Sequence, residues 1–215
     1  MEAVFEFLKN LHSTQGIEQM IAAGGLMVLV AIVFAETGLL AGFFLPGDSL
    51  LVTAGFLASR GIVSEEPLLN IFTLNIALIL AAIVGDQVGF WLGTKTGPRI
   101  FDKPDNRFFK KKYVIEAHAF YEKHGGKAII IARFIPIMRT FVPFIAGVAQ
   151  MSYRKFVGFN IIGGVLWVLS MTLIGFFLGN SPWGEKIHVI ILVVIGVSML
   201  PLLIALFRRF VLKKT

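Results

Sequence analysis

Long runs of apolar residues without a charge alternate with polar segments along the chain, and they predict helices that cross a membrane. A crossing of the hydrocarbon core needs about 20 apolar residues, and four runs of 17, 19, 29 and 21 uncharged residues approach or exceed this length. We therefore predict an all-α integral membrane protein with four transmembrane helices. They are placed at residues 17–36, 67–92, 156–180 and 187–207.

Two further apolar stretches are long enough to cross but are interrupted by proline and by charged residues. Proline breaks the helical hydrogen-bond ladder, and a charge inside the hydrocarbon is costly. Neither stretch is therefore expected to be a simple transmembrane helix. The interruptions are Pro46, Gly47 and Asp48 within residues 37–60, and Arg133, Pro136, Arg139 and Pro143 within residues 127–153.

The distribution of basic residues predicts how these two stretches are arranged. Residues 93–127 carry nine Lys and Arg against four acids, and the C-terminal tail carries four more. Loops with such an excess lie in the cytoplasm, and two crossings already separate the two basic segments. Residues 127–153 must then enter and leave on the cytoplasmic side, as a re-entrant helical hairpin. Residues 37–60 can mirror this hairpin from the outside, with both termini in the cytoplasm.

A weak internal repeat supports two oppositely oriented hairpins within a single membrane domain of residues 1–215. Phe44-Leu45-Pro46 leads to Ala54-Gly55, and Phe134-Ile135-Pro136 leads to Ala146-Gly147. Interrupted segments at corresponding positions of two halves are typical of inverted-repeat transporters, whose binding site lies near the middle of the membrane.

Residues 105–123 predict a cytoplasmic amphipathic helix between the two halves. Phe109, Tyr113, Ala117 and Phe120 recur at helical spacing and have lysine and arginine around them. Such a helix can lie at the membrane interface with its cations on lipid headgroups. A solvated connector is the alternative.

Composition supports a membrane location and excludes several classes of function. The chain is 56% hydrophobic and 15% charged, against about 45–50% and about 25% in soluble domains, so the surplus apolar surface must face lipid. The net charge is +7. We attribute it to basic residues that set the membrane topology and contact anionic lipid, so no nucleic-acid partner is expected. Without cysteine and without a Walker A, His-Glu-x-x-His or Gly-x-Ser-x-Gly motif, we expect neither an enzyme nor a bound metal or cofactor.

Charged residues inside the apolar segments are the main candidates for function. Glu36 ends the first predicted helix, Asp48 lies in the first hairpin, and two arginines, Arg133 and Arg139, lie in the second. Each costs about 2.5–3.5 kcal/mol at the centre of a membrane helix on insertion scales, so each should be paired or face water. Two acids and two arginines would form a neutral cluster. Buried salt bridges with no further role are the alternative.

The chemistry of these residues favours an anionic substrate. Guanidinium groups remain charged and bind phosphate or carboxylate through two parallel hydrogen bonds. Arg133, Arg139 and the adjacent Thr140 are therefore the predicted substrate-binding residues. Glu36 and Asp48 are the predicted counter-ions, and either carboxylate could exchange a proton when its arginine is taken by a substrate anion.

Asp86 and the glycines around it are expected to support helix packing. Four glycines recur every four residues and predict a close helix–helix seam. A hydrogen bond between Asp86 and a neighbouring helix or hairpin is favoured over direct contact with substrate, and Trp167 is assigned to packing. The glycines are Gly85, Gly89, Gly93 and Gly97.

Three motifs resemble those of the DedA family of bacterial inner-membrane proteins. They are residues 44–50 (FLPGDSL), 85–93 (GDQVGFWLG) and 133–143 (RFIPIMRTFVP), and the resemblance runs from about Gly25 to Asn180. The resemblance implies opposed re-entrant hairpins and a location in the bacterial cytoplasmic membrane. It also implies translocation of undecaprenyl phosphate, the cell-wall carrier lipid, or of other phospholipids. In several members of the family this transport requires the proton-motive force. The essential charged residues that it implies are Glu36, Asp48, Arg133 and Arg139.

Three hypotheses stand at this point. The first is a proton-coupled flippase for a phosphate-headed lipid. The second is a proton-coupled exporter of ions or cationic compounds that bind at Glu36 and Asp48, with a scramblase of bulk phospholipid as a related alternative. The third is a membrane assembly factor whose buried charges are structural. The residues expected to support the site are Asp86, Pro46, Gly47, Pro136 and Pro143.

Overall fold

The computed structural model describes residues 14–40, 45, 47–60, 70–101 and 126–182, and these form only helices and connecting turns. Six helices lie in this part of the chain: α1 (Thr14–Gly38), α2 (Gly47–Arg60), α3 (Ile71–Phe101), α4 (Lys127–Ala132), α5 (Pro136–Val148) and α6 (Tyr153–Gly179). The predicted all-α class is confirmed for these residues. The helices expected at residues 105–123 and 187–207 lie outside them, and the arrangement of crossings and re-entrant hairpins stays a prediction.

Two of the helices are long and apolar enough to cross a membrane. Ile71–Gly97 of α3 and Tyr153–Gly179 of α6 each contain 27 residues, which corresponds to about 40 Å of helix. They match the crossings predicted at residues 67–92 and 156–180. Along α3, large apolar side chains are exposed at four-residue intervals, as expected for a helix face in contact with lipid. These side chains are Phe72, Ile76, Leu80 and Val84.

A third predicted crossing, residues 17–36, corresponds to α1, which bends at Gly25. The backbone of Gly25 has φ 55° and ψ −146°, a conformation that glycine adopts without the strain a Cβ atom would cause. Helix α1 therefore consists of two helical segments joined at this glycine.

The helices belong to two compact units, and α1, α3 and α6 each contribute to both. The described part of the first unit comprises residues 14–28, 47–60, 70–74 and 169–182, and that of the second comprises residues 29–40, 45, 75–101 and 126–168. The residues predicted to carry function are divided between them. Gly47 and Asp48 lie in the first unit, and both arginines lie in the second.

In the first unit, α2 packs against the C-terminal part of α6 and is buried along its length. All residues from Gly47 to Ser59 are buried, so no face of this segment is left for solvent. The two helices approach so closely that a Cβ atom added at any of three glycines would overlap the facing residue. The contacts pair Gly55 with Thr172, Gly175 with Val52, and Gly179 with Ser59.

In the second unit, the glycines of α3 form the close seam that their spacing predicts. Gly85 lies against Thr37 at the end of α1, and Gly93 lies against α5. Gly147 of α5 lies in turn against Phe90 of α3, so each helix presents a glycine to the backbone of the other. Small residues permit this close approach. The packing role expected for the seam is confirmed.

The hydrophobic core of the second unit lies between α3, α5 and α6. Phe90, Ala146 and Phe156 are buried there, and the rings of Phe90 and Phe156 stack with their centroids 4.3 Å apart. Ile129 brings the short helix α4 into the same core. Because both α4 and α5 are anchored in this core, the turn that joins them is held in place.

We expect Gly93→Ala to destabilise the protein and Gly89→Ala to leave its stability nearly unchanged. A Cβ at Gly93 would overlap the Phe144 carbonyl, whereas one at Gly89 would meet Pro143 at 3.5 Å, an ordinary van der Waals distance. Both changes raise helix propensity equally, and overpacking costs about 1–3 kcal/mol. Thermal unfolding of the purified variants in detergent measures the difference. Equal unfolding temperatures of the two variants would contradict the seam.

Candidate functional site

Four charged side chains are buried together in the second unit. Glu36, Asp86, Arg133 and Arg139 expose 0, 1, 2 and 4% of their surface, respectively. They form two ion pairs, Arg133 with Asp86 and Arg139 with Glu36. Arg139 and Glu36 were both expected in one cluster of charges. Arg133 instead pairs with Asp86, for which the sequence predicted a hydrogen bond to a neighbouring segment, while Asp48 was the second acid expected in the cluster.

The two arginines are placed by the turn between α4 and α5. Arg133 caps the C-terminus of α4, and Pro136 begins α5. Ile135 is extended, with φ −113° and ψ 111°, because a proline disfavours the helical conformation of the residue before it. Pro136 then starts the new helix with a preset φ, and the Arg139 amide donates to the Ile135 carbonyl at 3.0 Å.

The Arg133 guanidinium is held through one of its amino groups. Its Nη2 donates to Oδ2 of Asp86 and to Oδ1 of Asn160, and it lies 3.4 Å from the Ala82 carbonyl oxygen. The Asn160 Nδ2 donates to the Ile83 carbonyl at 3.1 Å. Because its amide nitrogen is bound to α3, Asn160 presents its oxygen to the arginine.

The Arg139 guanidinium is held by a carboxylate and by an aromatic ring. Its Nη2 donates to Oε1 of Glu36, and its Cζ lies 4.6 Å from the centroid of the Trp167 ring. Trp167 is fully buried, as expected for a packing residue, and it also makes a cation–π contact that stabilises the buried charge.

The helix crossing at Gly85 brings the two ion pairs close to each other. Gly85 and Asp86 are adjacent on α3, and Gly85 lies against Thr37, the residue after Glu36. The carboxylate of Asp86 is within electrostatic range of Arg139 as well as of Arg133. Two acids and two arginines therefore form one buried cluster whose formal charges cancel, which we call the ion-pair cluster.

The other predicted site residues lie around the ion-pair cluster or in the first unit. Thr140 is buried next to Arg139. Pro143 lies inside α5, where it cannot donate a helical hydrogen bond to the Arg139 carbonyl. Asp48 is buried in the first turn of α2, where a carboxylate is favoured by the helix dipole, and Gly47 precedes it. Pro46 lies outside the described residues.

Sequence reasoning missed the role of Asn160. Its signal was an amide side chain in the middle of an apolar predicted helix, a position where a polar group needs a partner. Among the described residues, no three acidic or histidine side chains are close enough to hold a metal ion.

The ion-pair cluster can bind an anion by exchanging partners. A buried guanidinium needs an acceptor, since an uncompensated buried charge is strongly unfavourable. An incoming phosphate oxygen can replace a carboxylate oxygen on an arginine, because both are planar or tetrahedral oxyanions that accept charge-assisted hydrogen bonds. The carboxylate that is released is then left buried, and a proton can neutralise it.

Comparisons with known proteins identify similar proteins in bacteria. A family model described as the VTT domain matches residues 45–177. An uncharacterized membrane protein of Mycobacterium leprae is 46% identical over 196 residues, which cover 91% of this chain and 85% of the relative. Protein DedA of Escherichia coli K12 is 44% identical over 203 residues, or 93% and 91% of the two chains. Inner membrane protein YqjA of the same strain is 38% identical over 156 residues, or 72% and 68%. No solved structure matches the chain.

We expect Arg139→Met to destabilise the protein more than the double change Glu36→Leu with Arg139→Met. Removing one partner of a buried ion pair costs about 3–5 kcal/mol, whereas replacing both partners by apolar residues is often neutral. Denaturant unfolding of the two variants and of Glu36→Leu in detergent gives the coupling free energy. The exposed Arg154 supplies the control, since Arg154→Met removes a charge without breaking the pair. A double variant that is destabilised by the sum of the two single changes would contradict the pairing.

Proposed function

The chain belongs to the VTT-domain family, which includes the DedA proteins, and on this premise we propose that it moves a phosphate-headed lipid across the bacterial cytoplasmic membrane. The favoured lipid is undecaprenyl phosphate, and transport is coupled to protons. The observation that carries this proposal is the ion-pair cluster, because two arginines are buried in an apolar helical protein and each is paired with a carboxylate. Arg133, Arg139 and Thr140 bind the headgroup in this proposal, and Glu36 and Asp48 are the counter-ions.

The segment that carries the arginines suits a ligand with a charged head and an apolar tail. Met138 and Ile145 are exposed and, seven residues apart, fall on one side of α5. Phe134 in the preceding turn is exposed as well. Arg139 and Thr140 are buried on the other side. The phosphate can therefore reach the arginines while the hydrocarbon chain stays on the apolar side, in contact with lipid.

The proposed path uses the two interrupted segments as opposed re-entrant hairpins. Helices α4 and α5 lie within residues 127–153, and α2 lies within residues 37–60. Burial of α2 along its length supports this role, because non-helical and polar backbone at membrane depth is tolerated where it is enclosed by protein or lines a cavity. Both termini are cytoplasmic in this proposal.

Proton coupling follows from partner exchange at Glu36. In the structure the carboxylate is paired through Oε1 with Arg139. When a phosphate takes the guanidinium, the buried carboxylate loses its counter-ion, and protonation avoids the cost of an isolated charge. Each headgroup that enters would then bring a proton to Glu36. The pairing also disfavours a cation at Glu36, because a cation would have to compete with the arginine.

We expect Arg139→Lys to slow lipid exchange at least tenfold, with Arg154→Lys as the matched control on an exposed arginine. Lysine keeps the charge but cannot offer two parallel hydrogen bonds to phosphate. The measurement is leaflet exchange of a fluorescent polyprenyl phosphate in liposomes that contain the purified protein. Wild-type exchange by Arg139→Lys would refute bidentate phosphate recognition. No exchange by folded wild-type protein above protein-free vesicles would refute lipid transport.

We expect Glu36→Gln to abolish the effect of a pH gradient on lipid exchange while leaving exchange without a gradient measurable. Glutamine can still accept a hydrogen bond from Arg139, but it cannot take up a proton. Initial exchange rates are compared with and without a gradient across the liposome membrane, and a protonophore that collapses the gradient is the control. Full gradient dependence in Glu36→Gln would exclude Glu36 as the proton carrier.

A further inference from the structure

The exposed side of α3 changes from aliphatic to aromatic and then to basic as the helix nears its C-terminus. Ile76, Leu80 and Val84 are exposed. Trp91 and Lys95 follow on the same side, since all five residues fall within about 100° of the helical circumference. Trp91 is 56% exposed. This order of residue types is typical of a membrane helix at the point where it reaches the lipid headgroups.

Lys95 lies over the ring of Trp91 at this end of α3. Its Nζ is 5.8 Å from the centroid of the ring, a distance at which the ring attracts the charge. The ammonium group carries three N–H donors, and a single ring face cannot accept all of them. Because Lys95 is exposed, the other donors are open to a group outside the protein.

Tyr153 at the start of α6 places a second aromatic ring beside this side of α3. Its hydroxyl donates to Oε1 of Gln87 at 2.8 Å, and Gln87 lies about one turn before Trp91. The Tyr153 ring lies against Phe90, with the ring centroids 5.9 Å apart, yet the residue is 54% exposed. Because the hydroxyl is already bound, the exposed part of the ring is apolar. Trp91 and Tyr153 therefore form an aromatic surface, and Lys95 lies at its end.

Outside the ion-pair cluster, every charged residue in the described part of the second unit is basic. The acids of these segments, Glu36 and Asp86, are buried and paired with arginines, so neither is available to Lys95. An anion from outside the protein is thus the complementary partner of this surface, and the cytoplasmic leaflet of a membrane supplies anionic headgroups. The basic residues are Lys95, Arg99, Lys127, Arg154 and Lys155.

We propose that Lys95, Trp91 and Tyr153 form a binding site for one anionic phospholipid at the membrane surface. Lys95 contacts the phosphate of this lipid, and the two rings border its glycerol and the first carbons of its acyl chains. The inference goes beyond the proposed function and does not rest on it. The bound lipid is a resident ligand on the exposed side of α3, whereas the transported headgroup binds at the buried arginines.

The test uses the fluorescence of Trp91, which a lipid brominated near the start of its acyl chains quenches on contact. The full chain is reconstituted in phosphatidylcholine vesicles with rising fractions of brominated phosphatidylglycerol or of brominated phosphatidylcholine. Subtracting the signal of Trp91→Phe separates Trp91 from the other two tryptophans. We expect half-maximal quenching at a mole fraction about fivefold lower for phosphatidylglycerol, the gain from one basic residue near anionic lipid. Lys95→Gln should remove this preference, and Lys95→Arg should keep it.

The matched control is Lys155→Gln, which removes the same charge from another exposed lysine. Lys155 is two residues from Tyr153, and a turn of about 200° places it on the other side of α6. A preference for phosphatidylglycerol that Lys155→Gln retains and Lys95→Gln loses supports the site. Equal quenching of wild-type Trp91 by the two brominated lipids overturns it. An equal loss in both lysine variants also overturns it, because the attraction then comes from the total charge of the surface.

Discussion

Burial of two arginine–carboxylate pairs is the constraint on which the second unit depends. Taking a carboxylate and a guanidinium out of water is costly, and their attraction offsets this cost only if the geometry is good and further hydrogen bonds are made. Asn160 and the Ala82 carbonyl supply such bonds at Arg133, and Trp167 supplies its ring at Arg139. The segments that carry these groups must therefore stay in register, and α1, α3, α5 and α6 are tied by electrostatics as well as by packing.

Glycine makes this arrangement possible through two kinds of contact, one with the backbone of a neighbouring helix and one with a side chain. Arg133 and Asp86 are 47 positions apart in the chain, and Arg139 and Glu36 are 103 apart, so the pairs form only when distant helices pack closely. Gly85 lets α3 approach the end of α1 next to both acids. Gly164 does something different, because it leaves space for a side chain and not for a backbone. Glycine thus permits close contact between helices at one position and accommodates a charged side chain, that of Arg133, at another.

The sequence could identify the charged residues but not their partners. Glu36, Arg133 and Arg139 stand out because a charge in an apolar segment is costly, and the four-residue glycine spacing predicted the α3 seam. Which acid meets which arginine depends on where α3 crosses α1 and α5. No local sequence pattern encodes the position of these crossings. Asn160 carries no charge and was overlooked among apolar neighbours, and the ring of Trp167 could be assigned to the core but not to a particular cation. The placement of α2, α4 and α5 relative to a membrane rests on charge bias and stays a prediction.

The pairing of Arg139 with Glu36 is what links the headgroup to a proton in the proposed transport cycle. An anion that takes the place of Glu36 on the guanidinium leaves a buried carboxylate, and that carboxylate then needs a proton. If the arginines had no carboxylate partners, the headgroup could bind without moving a proton, and the gradient could do no work on the lipid.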